Sequence, residues 1–365
     1  MATDELPRPP KQEQLPAEAE VTEVGPNVLR MQLPIAMPGL GHVNAYAFVD
    51  DRGVAVLDAG LPGPNTWRTL VARLRSAGLR VRDVHTVLVT HSHPDHFGCA
   101  GRLATEARAD LVTHAAFRLF WGPGQDPCTD AAHDHTNDHD LGLDAEDLPT
   151  GNAWLEPPPW GGERSQPPLS RRLMYKAMRS RLLGNYRLPP ATRHVHHGDV
   201  VRLAGRDMFV VHTPGHTLDH VCIHDPEAGL AFTGDHLLPT ITPHISGIAA
   251  GRDPLRNFFA SLDRVAHLEA VNTALPAHGH PFGDVAARAA AIRDHHEGRL
   301  RKLGEICAAV GPATVREYSH QLFRAARWGP MAESETYAHL EHLRLAGRAE
   351  RHDGEEVPVY SVNGP

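Results

Sequence analysis

The sequence predicts an α/β protein in which two β-sheets pack face to face with helices on their outer surfaces, followed by a small C-terminal winged-helix module. Three observations carry this. Short apolar runs separated by polar breaks fill residues 28–115, similar runs fill residues 208–279, and the last 65 residues switch to helical spacing with a terminal hairpin.

In the first half, "VLRMQLPI", "NAYAFV", "GVAVLDAG", "TVLVTH" and "ADLVTH" are strand candidates, rich in β-branched and apolar residues. Between them Asn65 opens a stretch with Trp67, Leu70, Val71 and Leu74 at helical spacing. Gly78 ends it. The second half gives the strands "MFVVHTPG", "HVCIHDP", "GLAFTGD" and "TALPAHG". A helix carrying Leu255, Phe258, Phe259 and Leu262 follows, with Asp253 placed to cap it and Pro254 at its first turn.

Residues about 118–196 interrupt the pattern and are expected to be an insertion. It opens acidic and His-rich and becomes basic around Arg171–Arg181, where Leu173, Met174, Ala177 and Met178 predict an amphipathic helix. The domain expectation is a disordered lead-in over 1–20, rich in Pro, Glu and Gln, a main domain over 21–298, and the winged helix over 299–365.

The 365-residue chain is long enough to bury a large core, with 41% apolar residues. A formal charge of -8 disfavours non-specific attraction to nucleic acid or anionic membrane. Cys99, Cys128, Cys222 and Cys307 form no CxxC pair, which argues against a disulfide framework or thiolate zinc knuckle and fits a reducing cytoplasm. No run approaches the roughly 18 apolar residues of a membrane span.

"VTHSHPDHFG" places His91, His93, Asp95 and His96 within six positions at the end of a strand candidate. With 27 histidines in the chain some clustering is expected, so the motif gains meaning from residues elsewhere. His216 in "TPGHT", Asp235 in "FTGDH" and His278 in "PAHGH" also end strand candidates, where a rigid sheet can bring distant side chains together. Imidazole and carboxylate groups suit Zn2+, and Fe or Mn also accept them.

The ordered set HxHxDH, TPGHT, GDxxxP and AHG resembles the metallo-β-lactamase superfamily over about residues 28–282, and the C-terminal module resembles the winged helix appended to a subgroup of these hydrolases. The resemblance implies an αββα sandwich binding two divalent metal ions. His91, His93 and His216 would hold the first, Asp95, His96 and His278 the second, with Asp235 bridging. It implies that Asp58 supports the ligand shell through hydrogen bonds, and that Asp95 and Asp235 serve catalysis by a metal-bridging hydroxide. Asp235 points to the glyoxalase II-like thioesterases, lactonases and RNA-processing members, not to the antibiotic-destroying enzymes. A persulfide dioxygenase branch with one iron shares much of the spelling, so the motif leaves the metal count open. Ala277 replaces the glycine common before the last histidine, which should leave the ligands intact.

The expected function is hydrolysis of a small ester, thioester or lactone. The alternatives are a phosphodiesterase or endoribonuclease of the same fold, and a winged-helix nucleic-acid binder with the metallo-domain as sensor. "RAERHDGEEVPVYSV" carries as many acids as bases, which counts against gripping phosphates and favours packing or dimer formation. Arg172, Lys176 and Arg179 are candidates for binding an anionic substrate, or else they neutralise the acidic segment before them. His133, His135 and His139 are either an extra metal site or a solvated lid.

Overall fold

The structure is a computed structural model that describes residues 11–37, 39–119, 157–162, 188–248, 251–353 and 357–363. The expected insertion helix, Arg172, Lys176, Arg179, His133, His135 and His139 lie outside these residues.

The first sheet has seven strands in sequence order: β1 (Val21–Gly25), β2 (Val28–Met37), β3 (Leu40–Asp50), β4 (Gly53–Leu57), β5 (Val84–Leu88), β6 (Asp110–His114) and β7 (Arg193–Val195). β1 to β4 form an antiparallel meander, and β5 to β7 add in parallel. The second sheet has the order β12 (Thr273–Pro276), β11 (Leu230–Gly234), β10 (Val221–Asp225), β9 (Arg206–His212) and β8 (Val200–Leu203), with only the β11–β12 pair parallel.

Alternation along each strand divides its residues between two cores. Tyr46, Phe48, Ala55 and Leu57 face inward and meet Met208, Val210, Ile223 and Phe232 of the second sheet. Phe232 stands edge-on to Tyr46 and Phe48, with ring centroids 5.1 and 4.9 Å away. Truncating it to alanine would cost about 3–5 kcal/mol. The alternate residues Ala45, Ala47, Val54 and Val56 face outward onto α1 (Pro64–Ser76), whose Trp67, Leu70 and Leu74 are buried, and onto Leu103 of α3 (Ala100–Ala107). On the opposite side Val211, Cys222 and Ala274 pack against Leu255, Phe258 and Leu262 of α4 (Pro254–Ala266). The four-layer sandwich expected from the sequence is thus present. The Asp253 side chain caps α4 by accepting from Arg256 N–H at 3.0 Å.

The short strands β1, β7 and β8 were not among the sequence candidates. β7 lies inside the range expected for the insertion, because three residues at a sheet edge carry too little apolar pattern to be distinguished from a loop. Residues 11–20 also differ from the disordered lead-in expected there. Gln12–Gln14 form a 3-10 turn and the Glu13 carboxylate is buried, accepting from Thr240 N–H at 2.7 Å and Ile241 N–H at 3.0 Å. Composition cannot register such a long-range partner.

α5 (Val285–Val310) runs unbroken for 26 residues, with Asp284 accepting from Ala287 N–H at its start. After it come β13 (Ala313–Thr314), α6 (Val315–Leu322), α7 (Pro330–Leu345) and the hairpin β14 (Ala349–His352) and β15 (Val359–Val362), forming a three-stranded sheet in the order β13-β15-β14. Thr314 and Glu317 make a capping box that starts α6. Leu303, Tyr318, Leu340 and Tyr360 belong to the same buried cluster as Phe258 and Val211, so this region shares the outer core of the second sheet. Among the described residues no helix is long and apolar enough to cross a membrane.

Candidate metal centre

The seven expected ligands meet at one end of the sandwich, all beyond strand ends. His91 and His93 follow β5, and Asp95 and His96 sit on α2 (Pro94–Phe97), a single turn begun by Pro94. His216 follows β9, Asp235 follows β11 and His278 follows β12.

The His216 turn is set by its backbone. Thr213 N–H donates to His220 O, Gly215 N–H to Thr217 O, and His212 Nε2–H to Leu218 O. Gly215 has φ 132, and a Cβ there would lie 2.6 Å from the Phe258 backbone of α4, so both conformation and space require glycine. On the His278 side, Asn44 Nδ2–H donates to Pro276 O and Gly279 O, and Tyr46 Oη–H donates to Pro276 O. Ala277 is buried in the outer core of the first sheet, so its methyl is accommodated.

Two groups of ligand atoms result. In the first, His93 Nδ1 lies 3.0 Å from both His91 Nε2 and His216 Nε2. In the second, Asp95 Oδ2 lies 3.5 Å from His278 Nε2 and 3.7 Å from His96 Nε2. Asp235 stands between them. Its Oδ2 is 3.4 Å from His216 Nε2, 3.8 Å from His91 Nε2 and 3.6 Å from His96 Nε2, and its Oδ1 is 3.2 Å from His278 Nε2. Ligands of a tetrahedral zinc ion with bonds of about 2.0–2.1 Å stand about 3.3 Å apart, and these separations bracket that value.

The chemistry of the donors fits a metal as well as their spacing does. Among the described residues, His96 Nε2, His278 Nε2 and Asp235 Oδ1 are buried with no well-aligned hydrogen bond, Asp235 Oδ1 and His278 Nε2 having only their 3.2 Å approach to each other, a costly arrangement that a cation among them would relieve. Burial, with neighbouring imidazoles adding to it, holds His91 and His93 well below the usual imidazole pKa, leaving neutral lone-pair donors. Burial pushes His96 and His278 the same way, but the carboxylates of Asp95 and Asp235 outweigh it and raise both. Burial alone would raise Asp235, and His278 and His96 instead hold it well below the usual carboxylate range. These carboxylates demand nearby positive charge, which a metal ion supplies in place of protons.

Outer contacts fix which imidazole nitrogen faces the centre. His96 Nδ1–H donates to Asp58 Oδ2 at 2.7 Å, His278 Nδ1–H to His42 O at 2.7 Å and His216 Nδ1–H to His244 O at 2.7 Å. His91 Nδ1–H donates to Thr90 Oγ1, which in turn donates to Asp58. Asp58 therefore occupies the place expected of a supporting residue. Of the flanking histidines, His220 Nε2 accepts from Asp235 N–H at 3.0 Å, whereas His280 contacts Arg30. His42 and His244 were missed by sequence reasoning, since each acts through its main-chain carbonyl, which no side-chain pattern reports.

The sequence profile described as the metallo-beta-lactamase superfamily matches residues 38–278, about two thirds of the chain. A hydroxyacylglutathione hydrolase from Cereibacter sphaeroides (strain ATCC 17025) is 32% identical over 128 residues, 34% of this chain and 46% of that protein. The lactamase-like protein adaB of Aspergillus niger is 34% identical over 111 residues, 30% of this chain and 32% of that protein. The chain thus spans less than half the length of these curated relatives. A metallo-beta-lactamase family protein from Thermus thermophilus superposes with a TM-score of 0.67 at 28% identity, covering 93% of this chain and 99% of that one. A beta-lactamase domain protein from Burkholderia ambifaria gives 0.70 at 27% identity, covering 95% and 96%. Motif order, sandwich and profile agree: the chain belongs to the metallo-beta-lactamase superfamily.

Proposed function

We propose that the protein is a hydrolase of a small ester, thioester or lactone that works with two divalent ions, zinc in the resting protein. The observation that carries this reading is the position of Asp235, with Oδ2 toward His91, His216 and His96 and Oδ1 toward His278. One carboxylate shared by two ligand groups is what a binuclear centre needs. Likeness to hydroxyacylglutathione hydrolases, whose name denotes a thioester substrate, supports the substrate class. The all-imidazole and carboxylate donor set supports zinc, iron or manganese over softer ions.

Ions held there would supply Lewis acidity for a carbonyl oxygen and lower the pKa of a water toward about 7. The protein's own groups prepare that chemistry. Asp58, Thr90, His42 and His244 lock the imidazoles. Asp95, whose Oδ2 faces His278 and His96, would help hold an ion and orient a water by accepting a hydrogen bond from it. Arg172, Lys176 and Arg179 would supply positive charge that attracts an anionic substrate. The region from α6 to β15 is read as a winged helix used for packing, because α7 buries Thr336, His339, Leu340 and Leu343 against the body of the protein.

The test is a hydrolysis screen of thioesters, esters, lactones and RNA, with the protein loaded in turn with zinc, iron and manganese and its metal content measured. Two equivalents of metal with turnover of a thioester, ester or lactone are expected. Turnover of RNA alone, or a protein that retains no metal, would overturn the proposal.

A further inference from the structure

We propose that Glu335, carried by the C-terminal helix α7, is a positioning residue of the metal centre that acts through His244 on His216. This rests on the binuclear reading above. His216 Nε2 can face His93 and Asp235 only while its ring is held from behind, and that hold is the His244 carbonyl, which accepts from Nδ1–H at 2.7 Å. The carbonyl's position depends in turn on the His244 side chain. Its Nδ1–H donates to Glu335 Oε2 at 3.4 Å, and the other Glu335 oxygen is paired with Arg299 of α5. Glu335 is 8% exposed and its partner Arg299 comes from a second helix, so the carboxylate is a fixed anchor and not a mobile surface group.

The rest of the segment is gripped on both sides of His244, which leaves this residue as the adjustable part. Before it, Glu13 accepts from Thr240 N–H and Ile241 N–H, and Arg288 of α5 donates to Leu238 O and Ile241 O, both at 2.7 Å. After it, Gly247 N–H donates to Ser334 Oγ at 3.0 Å. A Cβ on Gly247 would lie 2.6 Å from Tyr337 Cδ1 and 2.7 Å from Ser334 O, so the segment lies directly on α7. The C-terminal region thereby becomes part of the scaffold that orients a metal ligand.

Glu335 also stands with His296 and His339 in a buried group whose spacing could hold an ion. That use is disfavoured by the adjoining Arg299 charge. The two imidazoles already face each other, His296 Nδ1 to His339 Nε2 at 3.0 Å, and His339 Nδ1–H donates to Glu335 O at 2.7 Å.

The experiment compares the parent with Glu335→Ala, His244→Ala and the double variant. Affinity for each of two zinc ions is measured by chelator competition, the absorption bands of the cobalt-loaded proteins are recorded, and unfolding of the metal-free proteins is followed. His244→Ala leaves the Arg299–Glu335 pair in place, so it separates positioning from loss of fold. Each single variant is expected to weaken one of the two ions about 10- to 100-fold and shift its cobalt bands. The double variant should lose no more than the weaker single one, as for two links of one chain. If the parent holds two ions while both single variants keep parental affinity, or if the losses add, the inference fails and the binuclear reading stands. A third equivalent of metal in the parent that disappears in Glu335→Ala would also overturn it. A parent that holds no metal would sink both.

Discussion

Asp58 Oδ2 and His96 Nδ1 lie 2.7 Å apart, and Asp58 makes this contact from the left-handed region of backbone space, at φ 59. Asp and Asn tolerate that conformation better than most residues. Asp58 Oδ1 also accepts from Thr90 N–H at 2.9 Å, so one carboxylate joins the end of β4 to the start of the histidine loop. Asp58→Ala is expected to weaken metal binding about 10- to 100-fold, with Asp58→Asn intermediate because it keeps the backbone but loses the charge. Chelator competition reads both; parental affinity in Asp58→Ala would remove Asp58 from the centre.

Asp235 faces both ligand groups. Asp235→Asn keeps its volume and removes its charge, so bound metal should fall below that of the parent and turnover should drop about 100-fold or more. Metal analysis of the purified variant and initial rates on the substrate found in the screen check this. Equal metal content and equal rates would contradict a shared carboxylate.

Gly215→Ala should act on the centre without touching a ligand. The added methyl meets the Phe258 backbone, and φ 132 is unsuited to alanine, so a loss of about 3 kcal/mol is expected from overpacking and conformational strain together. Urea unfolding of the metal-free protein measures that loss. Chelator competition should show weaker binding, because His216 is the next residue.

Acid should destabilise the metal-free protein through the His296–His339 pair. Burial pushes His296 down to about 2, with the neighbouring His339 adding to it. Burial likewise lowers His339 to about 4, against an opposing pull from Glu335. Unfolding returns both to about 6.5. The unfolded chain therefore binds more protons between these limits, and stability rises with pH there. The contribution is complete above pH about 6.5 and is lost as pH falls toward the folded values, by up to about 1.4 kcal/mol per pH unit for each group. In His339→Gln the fall in unfolding free energy between pH 6 and 4.5 should be shallower by about one such group. Contributions from the rest of the protein are common to both proteins and cancel in the comparison. Equal slopes would refute the assignment.

The layers of the fold and the residues of the candidate site were legible because they are written in side-chain type. Alternation in "NAYAFV" separates Tyr46 and Phe48 from Ala45 and Ala47, and the structure places the two pairs in different cores. Asp253 before Pro254 marks a helix start that the structure reproduces. What escaped notice works through main chain or across long sequence separation. His42 and His244 contribute carbonyls, Glu13 reaches over two hundred residues to Thr240, and Glu335 reaches His244 from a helix read only as part of an appendage. The edge strands β7 and β8 are too short for periodicity to stand out.

Helix α5 has a mechanical meaning for the whole chain. Its first turns carry Ala289 and Ile292 into the packing around Phe258, and its later ones carry Leu303 and Ile306 toward Tyr318 and Tyr360, along one uninterrupted rod. A rod cannot be severed midway without uncovering apolar surface on both pieces. The C-terminal region is therefore not a detachable cassette: shortening the chain at residue 298 should yield an aggregating remnant, and heating the intact protein should give one melting event in place of two.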